Sequence, residues 1–264
     1  MSDKEPAGTL PREVRVRAVP AVTRAIAILR LLGGRKQGLG VKAIADELGL
    51  VPSTCLHILR VLVAENLVRI EPGSKRHVLG SGMVSLARSV LEGAGFASLA
   101  QPALDRLSQR YGITAMGAEV TGRGTILVLA VARPDHPLQL HADVGSEFPA
   151  LTSATGRLVA ALGGEGEESL RGRFPGIDWD KPLSAEQWLG EVEQARLSGW
   201  SVDRNTFKNG ITAFAAPVVG RSGAMTHSLV VMGLSAAMEG LDEAALVADL
   251  KAAASAVSVD LASA

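Results

Sequence analysis

The chain has 264 residues, 47% of them hydrophobic, and its 27 Lys and Arg residues balance 27 Asp and Glu residues. This length accommodates two domains, and the apolar share excludes wholesale disorder. No apolar run reaches the roughly 18 to 20 residues that span a bilayer, and the first 20 residues lack the apolar segment of a secretory signal, so we expect a cytoplasmic protein without a membrane partner.

The first segment, residues 1–18, is polar and rich in Pro and Arg, which is typical of a flexible basic arm. An apolar periodicity from about residue 19 to residue 32 then predicts a helix that Gly33 and Gly34 end. The side chains expected to face inward from this helix are Val22, Ala25, Ile26 and Leu29.

Residues 41–80 show the order of a helix, a tight turn, a second helix and a β-hairpin. The first helix has an apolar stripe at i, i+3, i+4 and i+7, and Gly49 ends it. Cys55 lies on the matching stripe of the second helix, and a single thiol permits neither an intrachain disulfide nor a thiolate metal cluster. The two stripes consist of Val41, Ile44, Ala45 and Leu48, and of Cys55, Ile58, Leu59 and Leu62. We predict a winged helix-turn-helix in residues 19–80.

The opposite face of the second helix carries side chains suited to reading DNA. Ser53, His57 and Arg60 share this face, since they stand at i, i+4 and i+7. Pro52 suits a first helical turn, where Ser53 and Thr54 offer hydroxyl and free N–H groups to a phosphate. His57 and Arg60 are candidates for contacts with bases or phosphates in the major groove.

The hairpin after this helix is the predicted wing. Its short alternating strands, residues 67–70 and 76–79, flank a Pro-Gly turn, with Lys75 and Arg76 at or just beyond its tip. The full set of predicted DNA contacts is Ser53, Thr54, His57, Arg60, Lys75 and Arg76.

The charge is divided unevenly along the chain. Residues 1–80 hold 13 Lys and Arg against 7 Asp and Glu, whereas residues 81–264 hold 14 against 20. A basic segment followed by an acidic one is typical of a phosphate-binding domain joined to a second domain. We therefore favour DNA binding over the alternative that these helices only present a solvated surface.

The remainder of the chain predicts a linker helix and a mixed domain. Residues 81–92 form a helical segment that ends at a Gly-Ala-Gly break, so we assign residues 81–97 to the linker and residues 98–264 to the second domain. Strands are predicted at 113–122, 125–133, 137–145, 200–206, 210–220 and 227–235, and helices at 98–110, 153–162, 167–171, 185–197 and 242–261. Six strands with helices outside them predict an α+β fold.

Several strings in this order resemble the IclR-type bacterial transcriptional regulators. They are AVTRAIAILRLL, IADELGLVPST, ENLVR, TSATGRLVAAL and NGITAFAAPV. The resemblance implies a winged helix-turn-helix, a linker helix used in dimerisation, and a profilin- or GAF-like effector domain with a six-stranded antiparallel sheet. It also implies a homodimer or homotetramer on a palindromic double-stranded DNA operator, a small-molecule effector and no cofactor.

The resemblance also places an effector cavity between the sheet and the N-terminus of the helix that begins near Ser153. Such a helix end attracts anions through its free N–H groups and its dipole. Asp203 matches the acid that lines the family's cavity, and Phe148 matches an apolar wall. The effector-binding residues implied in this way are Phe148, Ala154, Thr155, Gly156, Asp203, Ala213, Val230 and Met232.

Three of these positions depart from the family pattern. Ala213 stands where binders of small acids have Cys, and Val230 and Met232 stand where they have Ser. Each missing partner costs a buried polar ligand atom about 1–3 kcal/mol, whereas buried apolar ligand surface contributes roughly 25 cal/mol per Å². We expect a carboxylic acid with an apolar or aromatic body, the alternative being a cavity that these side chains fill.

One alternative is a GAF-like effector-binding domain with a vestigial DNA reader, which the basic residues 1–80 disfavour. The other alternative is a metal-dependent enzyme domain with a vestigial DNA reader. Its best candidates are Asp135, His136, His141 and Asp143, because His141 and Asp143 share one strand face. A single strand pair supplies too few ligands, and no Ser-His-Asp spacing, nucleophile elbow or phosphate loop is present. We therefore predict no catalytic residues and no metal.

Overall fold

A computed structural model describes residues 19–92, 95–122, 124–135 and 142–263, with the side chains of residues 89–92 excepted. The predicted arm, residues 1–18, lies outside the described residues. The chain divides into two compact units, Met1–Ser89 and Val90–Ala264. The division falls inside the predicted linker, and each unit is taken by itself below.

The N-terminal unit is a winged helix-turn-helix, as predicted. Its elements are α1 (Pro20–Gly33), α2 (Val41–Glu47), α3 (Pro52–Ala64), β1 (Val68–Ile70) and β2 (His77–Leu79), and α4 (Gly82–Glu92) crosses into the next unit. Strands β1 and β2 pair antiparallel, with Arg69 opposite Val78. Leu39 adds an isolated bridge to His77, which ties the segment before α2 to the wing.

The core of this unit lies where α1, α2 and α3 meet. It is formed by Ile28, Leu32, Ile44, Ala45, Cys55, Leu59, Leu62 and Val68. The predicted inner face of α1 is wrong in part, because Val22 and Ile26 are exposed while Ile28 and Leu32 are buried. This helix is apolar on two stripes, so its periodicity alone could not select the stripe that faces α3.

A close backbone approach holds the wing against the end of α3. A Cβ at Gly80 would lie 2.2 Å from the carbonyl oxygen of Asn66. The backbone of Asn66 has a positive φ of 58°. Gly80 N–H donates to the carbonyl of Leu67 at 2.9 Å. Only a glycine at position 80 lets the chain leave β2 at this point.

The C-terminal unit is the predicted α+β domain. Its helices are α5 (Phe96–Tyr111), α6 (Ser153–Leu162), α7 (Glu167–Arg173), α8 (Ala185–Ser198), α9 (Ser235–Met238) and α10 (Glu243–Ser263), with a 3₁₀ turn at Phe174–Gly176. Its strands are β3 (Thr114–Val120), β4 (Thr125–Ala132), β5 (Glu147–Pro149), β6 (Ser201–Arg204), β7 (Ile211–Val219) and β8 (Met225–Leu234). They form an antiparallel sheet in the order β5-β4-β3-β8-β7-β6.

Helices cover both faces of this sheet. On one face α5 and α10 pack against Phe214, Val218, Leu229 and Val231, whereas α6 and α8 pack on the other. The second face receives Ala213, Ala215 and Val230, which alternate with the first set along β7 and β8. This period of two is the pattern of strands buried on both sides.

One predicted strand differs from the structure. Residues 137–141 of the predicted strand 137–145 lie outside the described residues, and residues 142–145 form no strand. The edge strand is β5, where Phe148 stands opposite Ile126. A three-residue strand that ends in Pro149 is too short to show an alternating pattern.

Among the described helices, none is by itself long and apolar enough to cross a membrane. Helices α2 and α3 reach that composition only as a pair, and the pair is bent by 115°. Most of their apolar side chains are in the core of the N-terminal unit, although Val61 is exposed.

Candidate functional site

Helix α3 packs one face into the core and leaves the opposite face exposed to solvent. Ser53, His57 and Arg60 are exposed, and Thr54 is half-buried, while Cys55, Leu59 and Leu62 face inward. The helix begins at Pro52 without a side-chain cap, so the N–H groups of its first turn are available to an anion. The face therefore combines donors with a basic side chain, as DNA contact requires.

The turn of the wing is held by its own polar groups. Glu71 N–H donates to the carbonyl of Arg76 at 2.8 Å, and the Ser74 hydroxyl donates to Glu71 Oε2 at 3.2 Å. Gly73 and Lys75 both adopt positive φ, which closes the turn. As a result, Lys75 and Arg76 extend into solvent at the tip.

The C-terminal unit contains a cavity of about 270 Å³ between the sheet and the start of α6. This volume is near the lower end of small-molecule sites, which begin at about 300 Å³, so it suits a single ring or a short chain. The lining residues are Met116, Ala118, Ile126, Val128, Ala142, Phe148, Thr152, Ser153, Thr155, Asp203, Phe207, Lys208, Ile211, Ala213, Val230 and Met232.

The floor of the cavity is apolar. Strands β3, β4, β7 and β8 contribute Met116, Ala118, Ile126, Val128, Ala213, Val230 and Met232 to it. Phe148 and Phe207 add two rings in an edge-to-face contact, with centroids 6.3 Å apart. No side chain of this floor offers a strong hydrogen-bonding group to a ligand.

The polar end of the cavity is formed by the start of α6 and the segment after β6. Thr152, Ser153 and Thr155 lie at the helix start, Asp203 lies on β6, and Lys208 lies in the segment that follows β6. The Thr155 hydroxyl is 3.2 Å from that of Ser228, so part of its capacity is already used. Ser153 has a positive φ of 59°, an unusual backbone for a residue other than glycine.

A buried ion pair supports this polar end. Arg157 Nη1 donates to Asp203 Oδ2 at 2.8 Å, and both side chains are at most 3% exposed. Arg157 also donates to Glu191, to the carbonyl of Ser153 and to the Thr206 hydroxyl. Because the guanidinium is paired on every side, its charge is offset within the protein.

The carboxylate of Asp203 organises the segment that follows it. Its Oδ1 accepts the backbone N–H groups of Thr206 and Phe207 at 3.1 and 3.3 Å, and its Oδ2 also accepts the Thr206 hydroxyl. Asp203 therefore lines the cavity with oxygens that are already hydrogen-bonded. This arrangement fixes the chain at Phe207 and Lys208, whose side chains also line the cavity.

Two family profiles match this arrangement of a DNA reader and a cavity domain. Residues 21–72 match the IclR helix-turn-helix domain, and residues 88–259 match the bacterial transcriptional regulator IclR C-terminal domain. The chain belongs to the IclR family. As an IclR-family protein, it is a ligand-responsive DNA-binding regulator, and its membership points to transcriptional control rather than catalysis.

Individual relatives agree over almost the whole length. The glycerol operon regulatory protein of Streptomyces griseus is 31% identical over 248 residues, which are 93% of this chain and 97% of that protein. An IclR regulator from Alicyclobacillus acidocaldarius is 25% identical with a TM-score of 0.81, covering 92% of this chain and 99% of that one. An IclR homologue from Microbacterium hydrocarbonoxydans, crystallised with 4-hydroxybenzoate, is 16% identical with a TM-score of 0.76, covering 92% and 100%.

Most of the residues that the IclR resemblance assigned to the cavity do line it. These are Phe148, Thr155, Asp203, Ala213, Val230 and Met232. Ala154 and Gly156 are not among the lining residues, because their side of α6 packs against protein. A Cβ at Gly156 would lie 2.2 Å from the carbonyl carbon of Leu151, so this glycine permits close packing of the chain before α6.

Sequence reasoning missed the positions that give the polar end its charge. Arg157 was not predicted, because an arginine is exposed by default and the sequence of α6 does not show which of its positions are buried. Phe207 and Lys208 were missed because they lie in an irregular segment, where periodicity carries no information. Met116, Ile126 and Val128 were predicted only as members of strands.

The residues of the rival metal-site interpretation are only partly described. His136 and His141 lie outside the described residues. Asp143 accepts from Arg133 Nη2 at 2.7 Å, so it forms an exposed ion pair. In the described ranges no group of three or more His, Cys, Asp or Glu side chains could hold a metal ion.

A second depression lies between α5 and α10. It is larger, about 670 Å³, and its lining includes Arg106, Arg110 and Asp249 beside several alanines. Asp249 already pairs with Arg110 and accepts the Tyr111 hydroxyl at 2.7 Å. Because this groove is more open and its carboxylate is already paired, the cavity at α6 is the better ligand site.

Proposed function

We propose that this IclR-family regulator binds a palindromic operator as a homodimer or homotetramer and senses a carboxylic acid with an apolar or aromatic body. The observation that carries the proposal is the division of the cavity into an apolar floor over four strands and one polar end at α6. Such a cavity suits a ligand that is itself divided in this way.

DNA recognition is assigned to α3 and the wing. The proposed contacts are Ser53, Thr54, His57, Arg60, Lys75 and Arg76, which comprise the exposed and half-buried side chains described above. A dimer would place two copies of α3 in successive major grooves, about 34–36 Å apart. The excess of basic residues in residues 1–80 supports this assignment.

The floor argues against a ligand that is polar all over. The relatives from Streptomyces are named as regulators of a glycerol operon, and glycerol carries three hydroxyl groups on three carbons. Several of these hydroxyls would face side chains without hydrogen-bonding groups. Each unpaired polar atom would weaken the binding free energy by about 1–3 kcal/mol. We therefore assign this chain a different ligand from glycerol itself.

Signal transfer is assigned to α4, because this helix crosses from one unit to the other. Ligand binding would change the spacing or orientation of the two recognition helices through α4. A coupling free energy of about 1–3 kcal/mol between ligand and DNA suffices for a transcriptional switch.

The first experiment is a thermal-shift screen of the purified protein with aromatic and aliphatic acids, including benzoate, 4-hydroxybenzoate and hexanoate. Each stabilising acid is then added to the protein on its own upstream DNA, and DNA affinity is measured by fluorescence anisotropy. The proposal predicts that at least one acid stabilises the protein and changes its DNA affinity. Intact DNA binding without any stabilising acid would refute the ligand assignment.

A variant with a larger side chain in the cavity serves as the control for ligand binding at this site. Ala213 lies on the floor, so Ala213→Leu should occupy part of the cavity and abolish acid stabilisation while DNA affinity remains. Analytical ultracentrifugation with and without DNA tests the oligomeric state. A monomer on DNA would contradict the palindromic operator.

A further inference from the structure

Lys208 lies in the irregular segment between β6 and β7. It lines the cavity next to Phe207, and its ammonium is 5.2 Å from the centroid of the Phe207 ring. Its Nζ donates to Asp180 Oδ1 at 2.8 Å, and its side chain is 49% exposed. The ammonium is therefore near the cavity while remaining accessible to solvent.

Among the described residues that line the cavity, Lys208 is the one with a positive charge. Arg157 lies behind this end, but its guanidinium is buried and already paired with Asp203 and Glu191. Drawing Arg157 towards a ligand would leave the buried Asp203 carboxylate without its cation, which is strongly unfavourable. Lys208 carries no such constraint.

The present partner of Lys208 is easily exchanged. Asp180 is 39% exposed and lies outside the set of lining residues. The hydrogen bonds from Lys208 and from the backbone N–H of Asn209 hold the pKa of Asp180 below its ordinary value, so both partners of the pair are charged at neutral pH. Exposed pairs of this kind contribute little to stability, because water solvates both ions when they separate.

We propose that Lys208 is the counter-ion for the carboxylate of the bound acid, and that it is exchanged from Asp180 to the ligand. This inference rests on the function proposed above. It assigns acid selectivity to one side chain: the floor binds the apolar body, and Lys208 distinguishes a carboxylate from a neutral group of the same shape.

The inference predicts a difference between an acid and its primary amide, because the amide keeps the shape and loses the charge. Titrations of benzoate, 4-hydroxybenzoate and hexanoate are compared with those of their amides by isothermal calorimetry, using the full chain. Lys208→Gln should weaken binding of the acid about three- to tenfold and change binding of the amide less than about twofold.

Asp180→Asn should act in the opposite direction, since it removes the competitor for Lys208. We expect acid binding to tighten about two- to fivefold, with amide binding unchanged. The matched control is Lys181→Gln, which removes an exposed neighbouring lysine that does not line the cavity. It should alter neither affinity.

The outcomes separate the two proposals. Equal weakening of acid and amide in Lys208→Gln, or no tightening in Asp180→Asn, would overturn the role of Lys208 and leave the acid-sensing function standing. Absence of binding by every acid to the unaltered protein would overturn the proposed function, and the role of Lys208 with it.

Discussion

The Arg157–Asp203 pair allows the most direct test of how the cavity is held together. Replacing Arg157 with Met keeps much of the buried volume but removes the cation, so Asp203 is left as a buried carboxylate. Removal of one partner from a buried ion pair costs about 3–5 kcal/mol. Three donors to Asp203, from Thr206 and Phe207, remain in place, so we expect the lower end, about 3 kcal/mol.

The assay is urea unfolding followed by tryptophan fluorescence. The three tryptophans of the chain, Trp179, Trp188 and Trp200, all lie in the C-terminal unit, so their emission reports that unit. With an m-value of about 2 kcal/mol/M, a loss of about 3 kcal/mol lowers the urea midpoint by about 1.5 M. Arg171→Met is the matched control, because Arg171 also has two carboxylate partners but is half-exposed, and it should leave the midpoint nearly unchanged.

A second substitution separates lost charge pairing from lost packing. Asp203→Asn in the Arg157→Met background removes the unpaired carboxylate and should restore about 1–2 kcal/mol, which is a coupling in the double-mutant cycle. If Arg157→Met unfolds at the midpoint of the parent protein, or if the second change restores nothing, the guanidinium does not compensate the buried carboxylate and the reasoning fails.

Three further predictions address the DNA face, a close packing site and a partly buried histidine. Arg60→Ala should weaken DNA binding and reduce the slope of log affinity against log salt by about one if Arg60 contacts a phosphate, with acid stabilisation unchanged; an unchanged DNA affinity would remove Arg60 from the interface. Gly156→Ala should lower stability by about 2–3 kcal/mol in thermal unfolding, whereas Gly190→Ala in α8, where an added Cβ has no neighbour within 4 Å, should not. Burial lowers the pKa of His227 to about 4, so the unfolded chain takes up a proton at this residue more readily than the folded protein does. The free energy of unfolding should therefore fall by about 2–3 kcal/mol between pH 6.5 and pH 4, after allowance for the partial exposure of His227. His227→Gln should flatten this part of the pH profile.

The elements that could be predicted are those whose patterns are local. Helix α3 combines Pro52 at its first turn with one continuous apolar stripe, and the wing turn combines Pro72 with Gly73. The predicted fold class is confirmed because these signals and the alternating strands β7 and β8 agree with each other. Helix α1 shows the limit, since Val22 and Ile28 both belong to apolar stripes and only packing against α3 decides between them.

The candidate site was less predictable because its polar end depends on long-range contacts. Arg157 and Asp203 are 46 residues apart, and no pattern in the sequence around either residue predicts that they form an ion pair. An isolated arginine is an exposed residue by default, so a single sequence does not reveal a buried one. Of the positions taken from the family resemblance, the sheet residues Ala213 and Val230 line the cavity, whereas Gly156 does not, because it packs closely against Leu151. A role of these residues in effector binding stays a prediction.

The separation of the cavity into a floor and an ion-paired end has a consequence for how ligand choice can change. Ala213, Val230 and Met232 have apolar side chains that line the floor, so exchanging them for other apolar residues alters the shape of the floor at a modest cost in packing. Arg157 and Asp203 cannot be exchanged so freely, because each one neutralises the buried charge of the other. Asp203 also holds the segment that carries Phe207 and Lys208. A relative with the same ion pair and a different floor can therefore bind a different ligand on the same framework.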